Sequence, residues 1–153
     1  MKNNFKPGSE SDGFRGIKWG MDIKMLSDME CTGKMSGPGP GFYIRKGDKL
    51  KIGEAELIKI VYSFWRDKFY GVDIDTEGYF NWHNLQEVVF KKFGQPKEHS
   101  IESAEYNLLV GERTNILMDF DKTSEKGHLL ICYKEITDEK ENYEKQKAVE
   151  QDF

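Results

Sequence analysis

The chain has 153 residues, 37% hydrophobic and 13% aromatic, with 23 Lys and Arg against 27 Asp and Glu, a formal net charge of −4. That length supports one domain with its own core, the aromatic share argues against disorder, and the interspersed charge lacks the basic footprint of a nucleic-acid binder. No apolar run approaches the roughly 20 residues of a membrane helix.

Residues 1–13 are polar and Gly/Ser-rich and read as a disordered leader without a recognisable signal peptide. This composition fits a cytoplasmic protein, or an exported one whose signal has been removed. A single domain is expected over 14–137. It opens with Phe14-Arg15-Gly16-Ile17-Lys18-Trp19-Gly20, after which Asp22 can cap a short helix presenting Ile23 and Leu26. A brief strand is expected around Cys31. Cys31 and Cys132 stand far apart without CxxC spacing, which favours two buried free thiols over a metal site or a disulfide. Alternating Gly and Pro over 36–41 break both helix and sheet, and the prolines lack the amide hydrogens of a phosphate cradle.

The segment 54–77 predicts a hairpin. A three-residue turn at Arg66-Asp67-Lys68 sets Phe64 opposite Tyr70, Tyr62 opposite Val72, Ile60 opposite Ile74 and Ile58 opposite Thr76, giving one continuous apolar face. The other face pairs Trp65 with Phe69, Lys59 with Asp75 and Leu57 with Glu77. Exposed together at the tip, Trp65 and Phe69 would anchor a protein partner; covered by the first helix or the Trp19 segment, they are core.

A helix follows, with Asn81 as its cap, Phe80 and Leu85 as a hydrophobic staple, and Leu85, Val88, Val89 and Phe93 as an ordinary core stripe ended by Gly94 and Pro96. Tyr106, Leu108 and Val110, then Thr114, Ile116, Met118 and Phe120, then Leu129, Ile131 and Tyr133, predict a three-stranded meander. The tail, 138–153, is charged and reads as a helical or frayed segment. The order of elements suggests two helix-then-strands halves. The expected fold is α+β, a curved antiparallel sheet of hairpins and meander with two or three helices packed on one side.

Three clusters have residue types suited to chemistry. Asp73, Asp75, Glu77, Gly78 and Asn81 reproduce much of a calcium loop, with oxygen ligands at alternate places and Gly sixth, but Asn84 stands where a bidentate Glu belongs. The competing reading puts Asp73, Asp75 and Glu77 on the solvent face of a strand. Asp119 and Asp121 alternate on one strand and His128 is placed opposite Asp121, a set that could do acid–base work if desolvated and is otherwise a surface contact. His83 and Glu87, one helical turn apart, lack a third metal ligand, and His99 has no identifiable partner.

The opening Phe14 to Met21, with its F-R-G-I-x-W-G motif, and the segment Gly78 to Gly94 resemble a group of small bacterial proteins with no assigned function, over most of 14–136. In that group the opening segment often follows a cleaved signal peptide, so the resemblance implies export; it supplies neither an activity nor catalytic residues. The helix-then-strands order also looks like the repeats of outer-membrane assembly lipoproteins and β-lactamase inhibitor proteins, a pattern that favours a binding role. The chain is therefore expected to be a non-catalytic binding module for a protein partner or a small apolar ligand, without a cofactor. The alternatives are a divalent-cation protein taking calcium through Asp73, Asp75, Glu77 and Asn81, and a small acid–base enzyme using Asp119, Asp121 and His128.

Overall fold

The computed structural model describes residues 3–35, 39–101 and 103–153, with the backbone alone for 97–101. Positions 36–38 of the Gly/Pro breaker and the His99 side chain lie outside the described residues. The chain opens with a small hairpin, β1 (Gly13–Phe14) and β2 (Ile17–Lys18), whose turn residues Arg15 and Gly16 have φ of 47° and 83°. Positive φ at both turn positions matches the twist of a two-residue hairpin, and Gly adopts it without strain. The short helix is one 3-10 turn, Ile23–Met25, with the Asp22 carboxylate accepting from the Lys24 amide.

The strands β3 (Met29–Lys34) and β4 (Gly41–Arg45) follow, then a second small hairpin of β5 (Lys51–Ile52) and β6 (Ala55–Glu56). Next come β7 (Lys59–Trp65), β8 (Lys68–Glu77), α1 (Tyr79–Phe93) and β9 (Lys97–Ile101). The chain ends with β10 (Ala104–Val110), β11 (Thr114–Asp121), β12 (Lys126–Tyr133) and α2 (Lys134–Asp152).

Eight strands form one open antiparallel sheet in the order β3-β4-β7-β8-β12-β11-β10-β9. The expected α+β class is borne out. Each half is a helical turn or helix followed by four strands of this sheet, and the halves meet through their last strands, β8 and β12, with Ile74 opposite Leu129 and Val72 opposite Ile131.

The core lies between α1 and one face of the sheet. Trp82, Leu85, Val89 and Phe93 of α1 are buried against a sheet face carrying Ile60, Tyr62, Val72, Ile74, Ile116, Met118, Phe120, Leu129 and Ile131. Each fully buried aliphatic or aromatic side chain contributes about 1.5–3 kcal/mol before chain entropy is counted. The Trp82 ring stacks on Phe120, with centroids 5.6 Å apart. Gly127 makes room for it: a Cβ there would lie 2.3 Å from the Trp82 ring and 2.5 Å from Thr76 Oγ1.

The hairpin register holds for Tyr62–Val72, Ile60–Ile74 and Lys59–Asp75, and changes at the tip. Arg66 and Asp67, at φ of 50° and 65°, form a two-residue turn, so Phe64 faces Phe69 and Trp65 faces Lys68. Tyr70 is the extra residue of a bulge, which turns Phe69 onto the core side. The exposed aromatic pair therefore does not form. Phe69 is 0% exposed, 4.8 Å from Trp19 in a stacked pair; Trp65 is 2% exposed, beside Tyr143 of α2 and under the Arg66 guanidinium.

Helix α1 starts at Tyr79, ahead of the expected Asn81 cap, and Phe80 is 71% exposed instead of stapling Leu85. The Glu125 carboxylate in the β11–β12 turn accepts from the Tyr79 amide, and its carbonyl accepts from the Gly78 amide, so the helix start is satisfied by a turn 46 residues further along the chain.

The leader is docked from residue 4. Phe5 packs edge-on against Phe93, Asn4 bonds to the backbone of Leu108 and Val110, and Glu10 accepts from the amides of Glu112, Arg113 and Thr114. On β10 the core-facing residues are Asn107 and Leu109, opposite Met118 and Ile116, so Tyr106, Leu108 and Val110 take the other face. Cys31 is exposed and Cys132 half-buried; both are free thiols.

Candidate functional site

The packing of α1 on the sheet leaves a hollow of about 580 Å3 open to solvent. Beneath it lie Ile74 of β8 and Leu129 and Ile131 of β12, themselves closed to solvent. Its roof is Leu85, Val88, Val89 and Phe93, brought to one side of α1 by their three- and four-residue spacing. Phe14 and Ile52, from the two small hairpins, close the remaining sides. At the β5–β6 turn, Gly53 approaches α1 so closely that a Cβ would lie 2.7 Å from Val88 Cγ2.

Arg15 holds the two hairpins at that distance. Its Nη1 donates to Asp48 Oδ1 at 2.7 Å and to the Lys49 carbonyl at 2.6 Å, and its Nη2 donates to the Lys51 carbonyl at 2.9 Å. Asp48 accepts a second bond, 2.7 Å, from the Tyr62 hydroxyl of β7. Burial first, and then that bond to Asp48, push the Tyr62 phenol far above its ordinary value. Arg15, Asp48 and Tyr62 thus form a fixed polar corner of the rim, with the Asp48 charge neutralised in place.

The rest of the rim is cationic. Lys49, Lys51 and Lys92 line the opening, and none of the ion pairs among the described residues involves them. The ammonium of Lys92 sits 5.5 Å from the Phe93 ring centroid. The lining contains one side-chain hydroxyl, Ser11, and no His, Cys or Glu among the described residues. This is an apolar chamber with a charged mouth, within the roughly 300–1,000 Å3 span of small-molecule sites. It can hold a ligand; it offers no nucleophile–base pair.

A second cleft, about 490 Å3, lies over the sheet and is lined by Lys59, Asp75, Asp119, Asp121, Lys126 and His128. Here the structure re-pairs the expected set: His128 faces Asp119 across β11–β12, not Asp121. Its Nε2 is 2.7 Å from Asp73 Oδ1 and its Nδ1 is 3.5 Å from Asp119 Oδ2. The Asp73 hydrogen bond outweighs desolvation and, with the neighbouring Asp119 and Asp75 charges, raises the imidazole above its ordinary value. With a carboxylate on each ring nitrogen, the protonated ring is stabilised and no free lone pair faces the cleft. Asp121 turns away from His128 to accept from the Thr123 and Ser124 amides in the β11–β12 turn.

The calcium-loop residues are likewise placed on regular elements. Asp73, Asp75 and Glu77 lie along β8, with Asp73 on His128 and Asp75 3.5 Å from Lys59, while Asn81 in α1 accepts from the Glu56 amide and donates to the Glu77 carbonyl. In the extended strand these three carboxylates share one face but are spaced roughly 6.5–7 Å apart, so the loop curvature that converges oxygen ligands on one ion is missing. His83 and Glu87 form an exposed pair at 3.3 Å. Among the described residues no three His, Cys, Asp or Glu are grouped as metal ligands.

Sequence reasoning found the roof of the chamber but read it as ordinary core, and it did not find Arg15, Asp48, Lys49, Lys51 or Lys92 as rim residues. A signal was available: Val88 widens the apolar arc of α1 beyond the stripe through Trp82, Leu85 and Val89. Comparison with protein-family models, with curated proteins and with solved structures gives no match for this chain.

Proposed function

We propose that this chain is a non-catalytic binding module for a small, largely apolar ligand, held in the chamber between α1 and the sheet. The observation that carries this reading is a solvent-open hollow of about 580 Å3 with Phe14, Ile52 and Val88 half-buried at its lip and Ile74, Leu85, Val89, Leu129 and Ile131 packed beneath. A concave, mostly apolar surface of this size suits an apolar guest. Trp65 and Phe69 are buried, so the hairpin tip lends no support to the protein-partner reading.

Uncharged straight-chain alcohols from hexanol to decanol test the reading by calorimetry. Each added methylene should tighten binding about fourfold, the equivalent of roughly 0.8 kcal/mol per buried CH2. Val88→Trp, which fills the roof, should abolish binding while the protein stays folded by circular dichroism, with a lower melting temperature because Val88 already packs close to the Gly53 turn. A Val88→Trp protein that still binds decanol as the wild type does would move the ligand elsewhere.

A further inference from the structure

Resting on that reading, we infer that the ligand is an anionic amphiphile, a single-chain aliphatic carboxylate whose tail fills the chamber and whose head is held by Lys49, Lys51 and Lys92. The chain as a whole has a formal net charge of −4, yet the lining of this one chamber carries four cationic side chains against one carboxylate. Arg15 and Asp48 neutralise each other at 2.7 Å, which leaves three ammonium groups at the mouth. Glu56, the cross-strand partner of Lys51 in the β5–β6 hairpin, does not line the chamber and makes no ion pair with it. Lysines gathered at the lip of an apolar pocket, in excess of nearby carboxylates, are complementary to an acid group at one end of a hydrocarbon chain. Their long stems can lie along apolar walls while the ammonium groups stay in water, so a head group meets them without being desolvated deeply.

A free single-chain acid is the source that fits. The chamber is a bounded pocket flanked by the two small hairpins and α1, of a size for one hydrocarbon chain, whereas a two-chain phospholipid would have to leave its bilayer to enter.

Decanoate and decanol, with the same tail, separate the two proposals at pH 7.5. In low salt decanoate should bind about tenfold tighter than decanol, the sum expected of a few screened surface contacts. In roughly 0.5 M salt the preference should shrink to a fewfold, because the screening length falls below the reach of the lysines. The triple variant Lys49→Gln, Lys51→Gln, Lys92→Gln should bring decanoate down to the affinity of decanol and leave decanol unchanged. Equal binding of the two probes by the wild type, or a preference that survives the triple variant, would overturn the head-group assignment while the apolar chamber stands. Failure of both probes to bind would overturn the chamber reading and this one with it. Co-sedimentation with anionic phospholipid vesicles by a protein that ignores free decanoate would replace the free acid with a membrane surface.

Discussion

Replacing Glu10 measures how much the N-terminal arm contributes to the fold. Its Oε1 accepts from the Arg113 and Thr114 amides at 2.9 Å and from the Thr114 hydroxyl at 3.0 Å, and its Oε2 accepts from the Glu112 amide at 3.2 Å. Thr114 is buried, so Glu10→Ala leaves its amide and hydroxyl without partners, at about 1–3 kcal/mol each, while the more exposed amides of Glu112 and Arg113 regain water. The expected total is about 3 kcal/mol, which for a chain of this size lowers the melting temperature by about 6–12 °C. Glu10→Gln keeps an acceptor oxygen and should lose roughly half of that.

The pH dependence gives an independent check. Desolvation pushes the Glu10 carboxyl upward, but the bonds from Arg113, Thr114 and Glu112 outweigh it and hold the carboxyl below its ordinary value of 4.5. A carboxylate with a depressed folded value contributes stability that is fully present above the unfolded value and lost as pH falls through the folded one. The difference in melting temperature between wild type and Glu10→Gln should therefore be largest at neutral pH and close as the protein is acidified well below 4.5. Thermal melts by circular dichroism at both ends of that range suffice. A Glu10→Ala protein that melts within about 1 °C of wild type at neutral pH would refute the reasoning and return residues 3–12 to the status of a dispensable leader.

Gly127→Ala sets a Cβ against the Trp82 ring and Thr76, and relief requires moving a stacked aromatic pair; the expected cost is about 2–3 kcal/mol, seen as an earlier urea midpoint with an unchanged slope. The His128 ring should titrate above 6.5 by NMR, and Asp73→Asn should bring it back toward that value. A raised imidazole value means that this contact stabilises the fold below the unfolded value and fades as pH rises through the folded one; a His128 midpoint at or below 6.5 in the wild type would contradict the Asp73 bond.

What the sequence made legible was periodic. The alternation in 59–65 and 70–76 fixed the pairing of Tyr62 with Val72 and of Ile60 with Ile74, and the stripe Leu85, Val89 and Phe93 fixed a helix and its buried side. Both signals are local, carried by residues two, three or four positions apart. The misplacements share the opposite property. Glu125 starts a helix whose first residue lies 46 positions away, and Glu10 satisfies amides 102 to 104 positions away, neither of which any local window contains. The Phe64–Phe69 pairing depends on a bulge at Tyr70, where one extra residue reverses which side chains are inside. On β10, Asn107 and Leu109 compete with Tyr106, Leu108 and Val110 for the inward face, and alternation alone favoured the longer apolar set.

The chamber shows the same division. Its roof was readable as an apolar stripe, but a stripe does not say whether its neighbours touch it or stand off. That spacing is set by Arg15 reaching across to Asp48 and to the Lys49 and Lys51 carbonyls, a contact between two hairpins that each look unremarkable alone.

The seam between β8 and β12 has a consequence for biosynthesis. Each half of the sheet ends with the strand that must join the other half, so the first four strands can pair as they emerge while β8 presents a bare margin of amides and carbonyls. That margin stays unsealed until synthesis has passed Tyr133, and closing it late brings together segments far apart in the chain, the slow kind of contact. Nascent chains stalled before β12 should therefore be the aggregation-prone species, and the ones on which a ribosome-bound chaperone acts.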